Sequence, residues 1–273
     1  MIIPGISGRI AAVASRTEAP SLAAAADVST PADQVPLVQT AGFACAAYNG
    51  WVLAEDGICC AASGNLDWFQ VELADVQLKR DPAHALLRAD LLAQLGGRFA
   101  ICVWDATQGI GIVAHDRFGQ MSLYWTETDD HELLFAPTAT AVTRLAGTAA
   151  TLSTQAILHY FYFQMIPSPG TIFRDVNKLM AGHALIAKDG RWRLQRYWRP
   201  NFREDADVPM SEAAEEILGL LSSSVGRLSS GADCGAFLSG GLDSSTVAGL
   251  LARHTKHPKT YSIGFDAEGD VEI

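Results

Sequence analysis

The chain has 273 residues, of which 49% are hydrophobic and 18% charged, with a formal net charge of −10 and a sequence pI of about 5.1. That length sets an expectation of two ordinary domains, and the apolar fraction is enough to bury real cores. The acidic balance excludes the basic stripe that a nucleic-acid binder needs to neutralise phosphates, yet it is compatible with one triphosphate held by local donors and a cation.

The first part of the chain reads as strands and turns with a few helices. Gly5 to Ala11 forms a first strand. Thr17 to Gln39 is rich in Ala, Ser, Pro and Asp, and reads either as a helix flanked by loops or as a mobile segment. Phe43 to Leu53 and Gly57 to Ala62 are apolar runs bounded by turn residues, as buried strands are. Ala83 to Leu95 carries leucines at helical spacing (Leu86, Leu87, Leu91, Leu92 and Leu95), and Gly96-Gly97 stops that helix.

Two strands follow, Arg98 to Asp105 and Gly109 to His115, around a turn at Ala106 to Gln108. Ser122 to Trp125 and Glu132 to Ala136 make a second hairpin. Thr154 to Tyr162 is helical, and Ala184 to Tyr197 is rich in strand formers. Hairpins with intervening helices predict a layered α+β domain. Asp116-Arg117 reads as a charged pair pinning a turn, and His183 as a structural histidine.

Asn201 to Pro209 is polar and acidic, so a linker is placed at residues 201–210 between domains at 1–200 and 211–273. Ser211 then precedes Glu212, Glu215 and Glu216, which predicts an N-cap with an acidic first turn and a helix reaching about Leu228. A strand (Cys234 to Leu238), a glycine-rich loop, a helix (Ser244 to His254) and a strand (Thr260 to Phe265) complete a βαβ pattern. Such a pattern demands a parallel pair.

The five cysteines, Cys45, Cys59, Cys60, Cys102 and Cys234, include no CxxC pair and are expected to be buried, reduced thiols. The histidines show no metal-ligand spacing. No apolar run approaches the roughly 20 residues of a membrane span, and the N-terminus lacks a charged n-region. The expected location is the cytoplasm, with neither membrane nor nucleic acid as partner. The sequence is compatible with a homodimer.

The loop is Ser239-Gly240-Gly241-Leu242-Asp243-Ser244-Ser245. Consecutive glycines let backbone approach a ligand, and amides at a helix start attract anions. Ser239, Ser244 and Ser245 add hydroxyls. Asp243 would repel a bare phosphate, but a Mg²⁺ between them removes the conflict, so the layout suits Mg-ATP. It is not a Walker loop, because no GK[ST] ending follows, nor a dinucleotide GxGxxG.

Phe237 to Ser245, with Tyr261-Ser262-Ile263-Gly264-Phe265-Asp266 downstream, resembles the asparagine synthetase family. Gly97 to Asp105 resembles the family strand written NGMFAFAIWD. Asp116-Arg117-Phe118-Gly119 with Leu123-Tyr124 resembles DRFGIKPLYY, Ile166 to Phe173 with Lys178 to His183 resembles VPAPRTIFRGVRKLPPGH, and Arg196-Tyr197-Trp198 matches RYW. The resemblance is good over roughly residues 97–270 and poor before them.

It implies an N-terminal-nucleophile (Ntn) hydrolase-like domain with αββα layers, followed by the start of an α/β parallel-sheet PP-loop domain. It also implies that Ser239, Gly240, Gly241, Asp243, Ser244 and Ser245 hold the pyrophosphate end of ATP, with Asp243 on Mg²⁺, and that Phe237 and Ile263 line the adenine pocket. The implied reaction is adenylation of a small-molecule or peptide carboxylate, release of pyrophosphate and displacement of AMP by an amine.

The sequence departs from the family in two respects, its glutaminase residues and its length. The family nucleophile is a cysteine at position 2, where this chain has Ile2, and no cysteine precedes Cys45. The family NGE segment becomes Ser63-Gly64-Asn65, and the RGPD and RLSI stretches are missing. A domain without glutaminase activity is therefore expected. The chain also stops two strands into the synthetase domain, so it is expected to be a fragment or a truncated product. Three readings stay open: an amide-forming ligase, a β-lactam- or macrolactam-forming cyclase of the same family, and a truncated nucleotide-binding or interaction protein.

Overall fold

The computed structural model describes residues 5–10, 37–40, 43–48, 50–55, 58–67, 92–147, 150–188, 191–202, 207–230 and 234–264. The chain divides into two compact units, Met1–Pro200 and Asn201–Ile273.

The first unit is built on two six-stranded sheets with antiparallel pairing. The strands, in chain order, are β1 (Gly5–Ile10), β2 (Leu37–Thr40), β3 (Phe43–Tyr48), β4 (Gly50–Glu55), β5 (Ile58–Asp67), β6 (Gly96–Asp105), β7 (Ile110–His115), β8 (Tyr124–Glu127), β9 (Leu133–Ala136), β10 (Asn177–Lys178), β11 (His183–Lys188) and β12 (Arg191–Arg196). One sheet has the order β10-β8-β9-β1-β3-β2, and the other β12-β11-β7-β6-β5-β4.

Period-two alternation explains why the central strands read as unbroken apolar runs. Along β6, Ala100 and Cys102 enter one cluster, while Phe99, Ile101 and Val103 enter another. Strand β5 divides likewise, Cys59 and Ala61 against Ile58, Cys60 and Ala62. Successive side chains of a strand point to opposite faces, so both faces of the sheet are covered. The first cluster also takes Cys45 from β3 and Leu133 and Phe135 from β9, which makes it the core between the sheets. The second cluster is closed by Leu92 and Leu95.

Helix α1 (Ala139–Ala146) packs Ala141 and Val142 against Ala136 and Val176. Its start is fixed by Thr138, whose hydroxyl accepts from the Ala141 amide at 3.1 Å. Helix α2 (Thr154–Phe163) is capped in the same way by Ser153.

The texts around Asp116, Gly182 and Trp198 meet in one place. The buried Asp116 carboxylate accepts from the amides of Phe118, Gln120 and Met121 at 3.0–3.2 Å, which fixes the turn after β7. Arg117 reaches back to the Leu95 carbonyl at 2.9 Å, and its guanidinium lies 5.9 Å over the Trp198 ring. Tyr197 donates to the His115 carbonyl. The His115 ring lies between the carbonyls of Met121 (2.8 Å) and Met180 (2.9 Å). His183 is held by the Ala181 carbonyl at 2.9 Å. These motif residues brace backbone.

Several boundaries differ from the sequence reading. Leu37–Thr40 is a strand paired with β3. Its four residues are too few to announce one, and pairing with β3 fixes it. The Phe43 to Leu53 run is two strands, and β5 continues to Asp67. That extension passes Gly64 at φ +94°, where a Cβ would sit 2.2 Å from the Arg98 carbonyl oxygen. Only glycine allows this approach. Most of the Thr17 to Gln39 segment and most of the Ala83 to Leu95 helix lie outside the described residues.

The second unit contains helix α3 (Met210–Ser229), strand β13 (Gly235–Phe237), helix α4 (Leu242–His254) and strand β14 (Lys259–Tyr261). The two strands are parallel, with Phe237 opposite Tyr261. Ser211 is not the N-cap of α3. Pro209 takes that position at φ −56° with no side-chain cap, and Ser211 is already helical. Proline presets φ for a helix entry, which moves the start forward. Strand β14 is shorter than the expected Thr260 to Phe265, and Phe265 lies outside the described residues. Among the described residues, no helix is long and apolar enough to cross a membrane.

Candidate functional site

Strand β13 delivers the chain through Leu238 into Ser239-Gly240-Gly241, and α4 begins at Leu242. The strand end is fixed first. The Leu238 amide donates to the Tyr261 carbonyl at 2.8 Å, and the Ser262 hydroxyl donates to the Leu238 carbonyl at 2.7 Å. The parallel pair thus holds the residue immediately before the loop.

Gly240 has φ +86°, a conformation that side chains resist, and a Cβ built there would meet nothing within 4 Å. Backbone conformation, not crowding, demands glycine, and the space beside it stays open. Gly241 caps α4 without a side-chain bond. Its carbonyl accepts from the Ser245 amide at 3.1 Å, which is the first helical hydrogen bond. The amides of Leu242, Asp243 and Ser244 precede that bond and have no partner within the helix. Such donors, at the positive end of the helix dipole, suit an anion.

Side chains complete the loop. The Ser244 hydroxyl donates to the Gly241 carbonyl at 3.1 Å and accepts the Ser239 amide at 3.2 Å, and the two serine hydroxyls lie 3.0 Å apart. Asp243 is exposed in the first turn of α4. Together with Ser244, Phe237, Leu228 and Val247 it borders a cavity of ≈ 450 Å³. Ser245 is exposed on the same turn.

The structure therefore gathers Ser239, Gly240, Gly241, Asp243, Ser244 and Ser245 around one helix start. Helix α4 begins two residues before the expected Ser244, which puts Asp243 inside the first turn. Phe237 and Ile263 are exposed by 76% and 80%. Sequence reading missed Tyr261 as a neighbour of this site. Its ring centroid lies 6.4 Å from that of Phe237, and the only available signal was the strand register that sets them opposite each other.

The thiols are elsewhere. Cys45, Cys59, Cys60 and Cys102 are buried and free of disulfides. Burial, and then the neighbouring cysteines, push the Cys60 thiol well up from its ordinary range. Burial does the same to Cys102, followed by its hydrogen bond with Cys45. Cys234, expected to be buried, is half-exposed beside β13. It immediately precedes β13 and lines the cavity beside the loop. Ile2 lies outside the described residues. Among the described residues, no group of three His, Cys, Asp or Glu side chains is assembled to hold a metal ion.

Two family models match the chain in succession. Residues 82–198 match the model of the glutamine amidotransferase domain, and residues 216–273 match that of asparagine synthase. Asparagine synthetase [glutamine-hydrolyzing] 1 of Bacillus subtilis is 28% identical over 188 residues, which cover 68% of this chain and 29% of that protein. Asparagine synthetase [glutamine-hydrolyzing] 3 of the same organism is 30% identical over 185 residues, covering 65% and 30%. The chain spans about a third of the length of the curated relatives it matches. Among solved structures, the glutamine phosphoribosylpyrophosphate amidotransferase of B. subtilis aligns with 82% of this chain and 52% of that chain at 15% identity. The TM-score of that alignment is 0.36.

Proposed function

The chain belongs to the asparagine synthetase family, and from that premise we propose that it carries the ATP site of a ligase that forms amides by adenylating a carboxylate. The observation that carries this reading is the loop at Ser239 to Ser245. A parallel strand pair ends in a glycine backbone beside unpartnered helix amides and a single carboxylate, Asp243.

In this reading residues 1–200 form an Ntn-hydrolase-like domain, residues 201–210 a linker and residues 211–273 the start of a PP-loop synthetase domain. The amides of Leu242 to Ser244 and the glycine backbone hold the pyrophosphate end of ATP. Phe237 and Ile263 take the adenine. The donor set fits Mg²⁺, which commonly binds through one or two carboxylates together with substrate phosphates, and Asp243 is the carboxylate available. That ion would neutralise charge on the phosphates.

A carboxylate oxygen of the acceptor, a small molecule or a peptide, attacks the α-phosphorus. The bond from that phosphorus to the bridging oxygen breaks, and pyrophosphate leaves. An amine nitrogen then attacks the acyl carbon and AMP departs. What this chain contributes is positioning and fixed donors where negative charge accumulates on the leaving group.

Glutamine hydrolysis is not part of the reading. A nucleophilic thiol must be accessible and easily ionised. Cys45, Cys59, Cys60 and Cys102 are buried, and the Ser63-Gly64-Asn65 segment lacks a carboxylate.

The test is Mg-ATP binding by calorimetry, with Asp243→Ala as the variant. We expect saturable binding by the wild-type chain, weakened on the order of tenfold or more in the variant through loss of a charge-assisted contact. Unchanged binding in Asp243→Ala would remove Asp243 from the metal role.

A further inference from the structure

We propose that Ser244 is a positioning residue that presets the anion loop, and that backbone amides rather than its hydroxyl face the phosphates. The proposal rests on the reading of this loop as an ATP site. It follows from counting protons and lone pairs. A serine hydroxyl offers one donor and two acceptor positions. The Ser244 proton goes to the Gly241 carbonyl at 3.1 Å. One lone pair takes the Ser239 amide at 3.2 Å. The second faces the Ser239 hydroxyl at 3.0 Å.

Because the Ser244 proton is already committed to Gly241, the proton between the two hydroxyls must come from Ser239. Both serine protons then point inward, and neither is left for a ligand. One hydroxyl ties the residue before the glycine pair to the residue that caps α4, across Gly240 and Gly241.

Little packs around the glycines, and apart from the Ser244 bridge it is the Ser245 amide that holds the Gly241 carbonyl. A Cβ at Gly240 would meet nothing within 4 Å, and one at Gly241 would meet only the Ser239 hydroxyl, at 3.8 Å. Glycine also loses more conformational freedom on ordering than any other residue. Without the Ser244 bridge, that freedom would have to be lost when the anion binds. With it, the loop is ordered beforehand, and preorganisation of this kind strengthens binding without adding a contact.

The experiment uses the whole chain and Mg-pyrophosphate as the probe. Hydrogen exchange is read at Gly240 and Gly241 without ligand, and pyrophosphate affinity is read by calorimetry, for the wild type, Ser244→Ala and Ser244→Thr. In Ser244→Ala, exchange at the two glycines speeds up before any ligand is added, and affinity falls about tenfold, the loss expected from one or two hydrogen bonds. Ser244→Thr keeps the hydroxyl and returns both readouts to within about twofold of wild type. A direct phosphate contact would weaken binding while leaving ligand-free exchange as it was, and that result overturns the proposal. So would a Thr variant that behaves like Ala. If the wild-type chain binds no pyrophosphate, the ATP-site reading falls and takes this proposal with it. If it binds and Ser244→Ala binds equally well, the proposal falls alone.

Discussion

The two units of this chain use the same elements in opposite ways. In the first, β5, β6 and β7 bury side chains on both faces, and residues such as Phe99 and Cys102 are fully enclosed. In the second, α3 buries none of its residues, and Ile217, Leu220 and Leu228 are exposed. Among its described residues the enclosed apolar side chains are Ala236, Leu250 and Leu251. The polar groups differ in the same sense. Asp105 and Asp116 in the first unit turn inward on backbone amides, whereas Asp243 in the second stands open at a helix start. A carboxylate whose partners all lie in its own turn, as for Asp105 and Asp116, is structural, while one exposed beside unpartnered amides is available to a ligand. The motif texts shared with the family therefore divide into those that brace the fold and those that can do chemistry.

Mutations can break that comparison. The largest effect is expected from Phe99→Ala, which leaves a cavity at a fully buried position and costs about 3–5 kcal/mol. Leu220→Ala, on the exposed side of α3, should change stability by no more than about 0.5 kcal/mol. Chemical denaturation measures both. Similar losses for the two variants would mean that α3 is covered in solution and that the contrast between the units is not real.

A smaller effect sharpens the structural role of the inward carboxylates. Burial by itself would raise Asp105, but the Thr107 hydroxyl and the Gln108 and Thr107 amides outweigh it and hold its carboxyl below the ordinary range. These contacts run from 2.6 to 3.1 Å. A carboxylate whose folded pKa is depressed contributes stability above its unfolded pKa and loses it as pH falls through the folded value. Asp105→Asn should therefore cost about 1–2 kcal/mol at neutral pH, with the difference shrinking below about pH 4 as the wild-type side chain protonates. A difference that stays constant with pH would show that charge has no part in this turn.

Much of the fold was legible in the sequence because its signals are local. The apolar runs at Arg98 to Asp105 and Gly109 to His115 appear as β6 and β7, and the Thr154 to Tyr162 pattern appears as α2. The loop was legible because its residues are contiguous. What stayed hidden depends on partners far along the chain. Leu37–Thr40 becomes a strand through its pairing with β3, and Tyr261 comes beside Phe237 only through the register of β13 and β14. The bridging of Gly241 and Ser239 by Ser244 depends on the loop's dihedral angles, which residue types alone do not specify. Ser211 looked like a cap because serine usually is one, yet the proline two residues before it opens the helix.

The central claim is that ligand chemistry lies in the second unit, at the loop before α4. Hydrogen exchange across the whole chain, with and without saturating Mg-ATP, tests it most directly. The account predicts protection confined to the peptides spanning Phe237 to Ser245 and Tyr261 to Ile263, lost in Asp243→Ala, with β5, β6 and β7 unchanged. Absence of protection at the loop, or protection centred on the first unit, would contradict it.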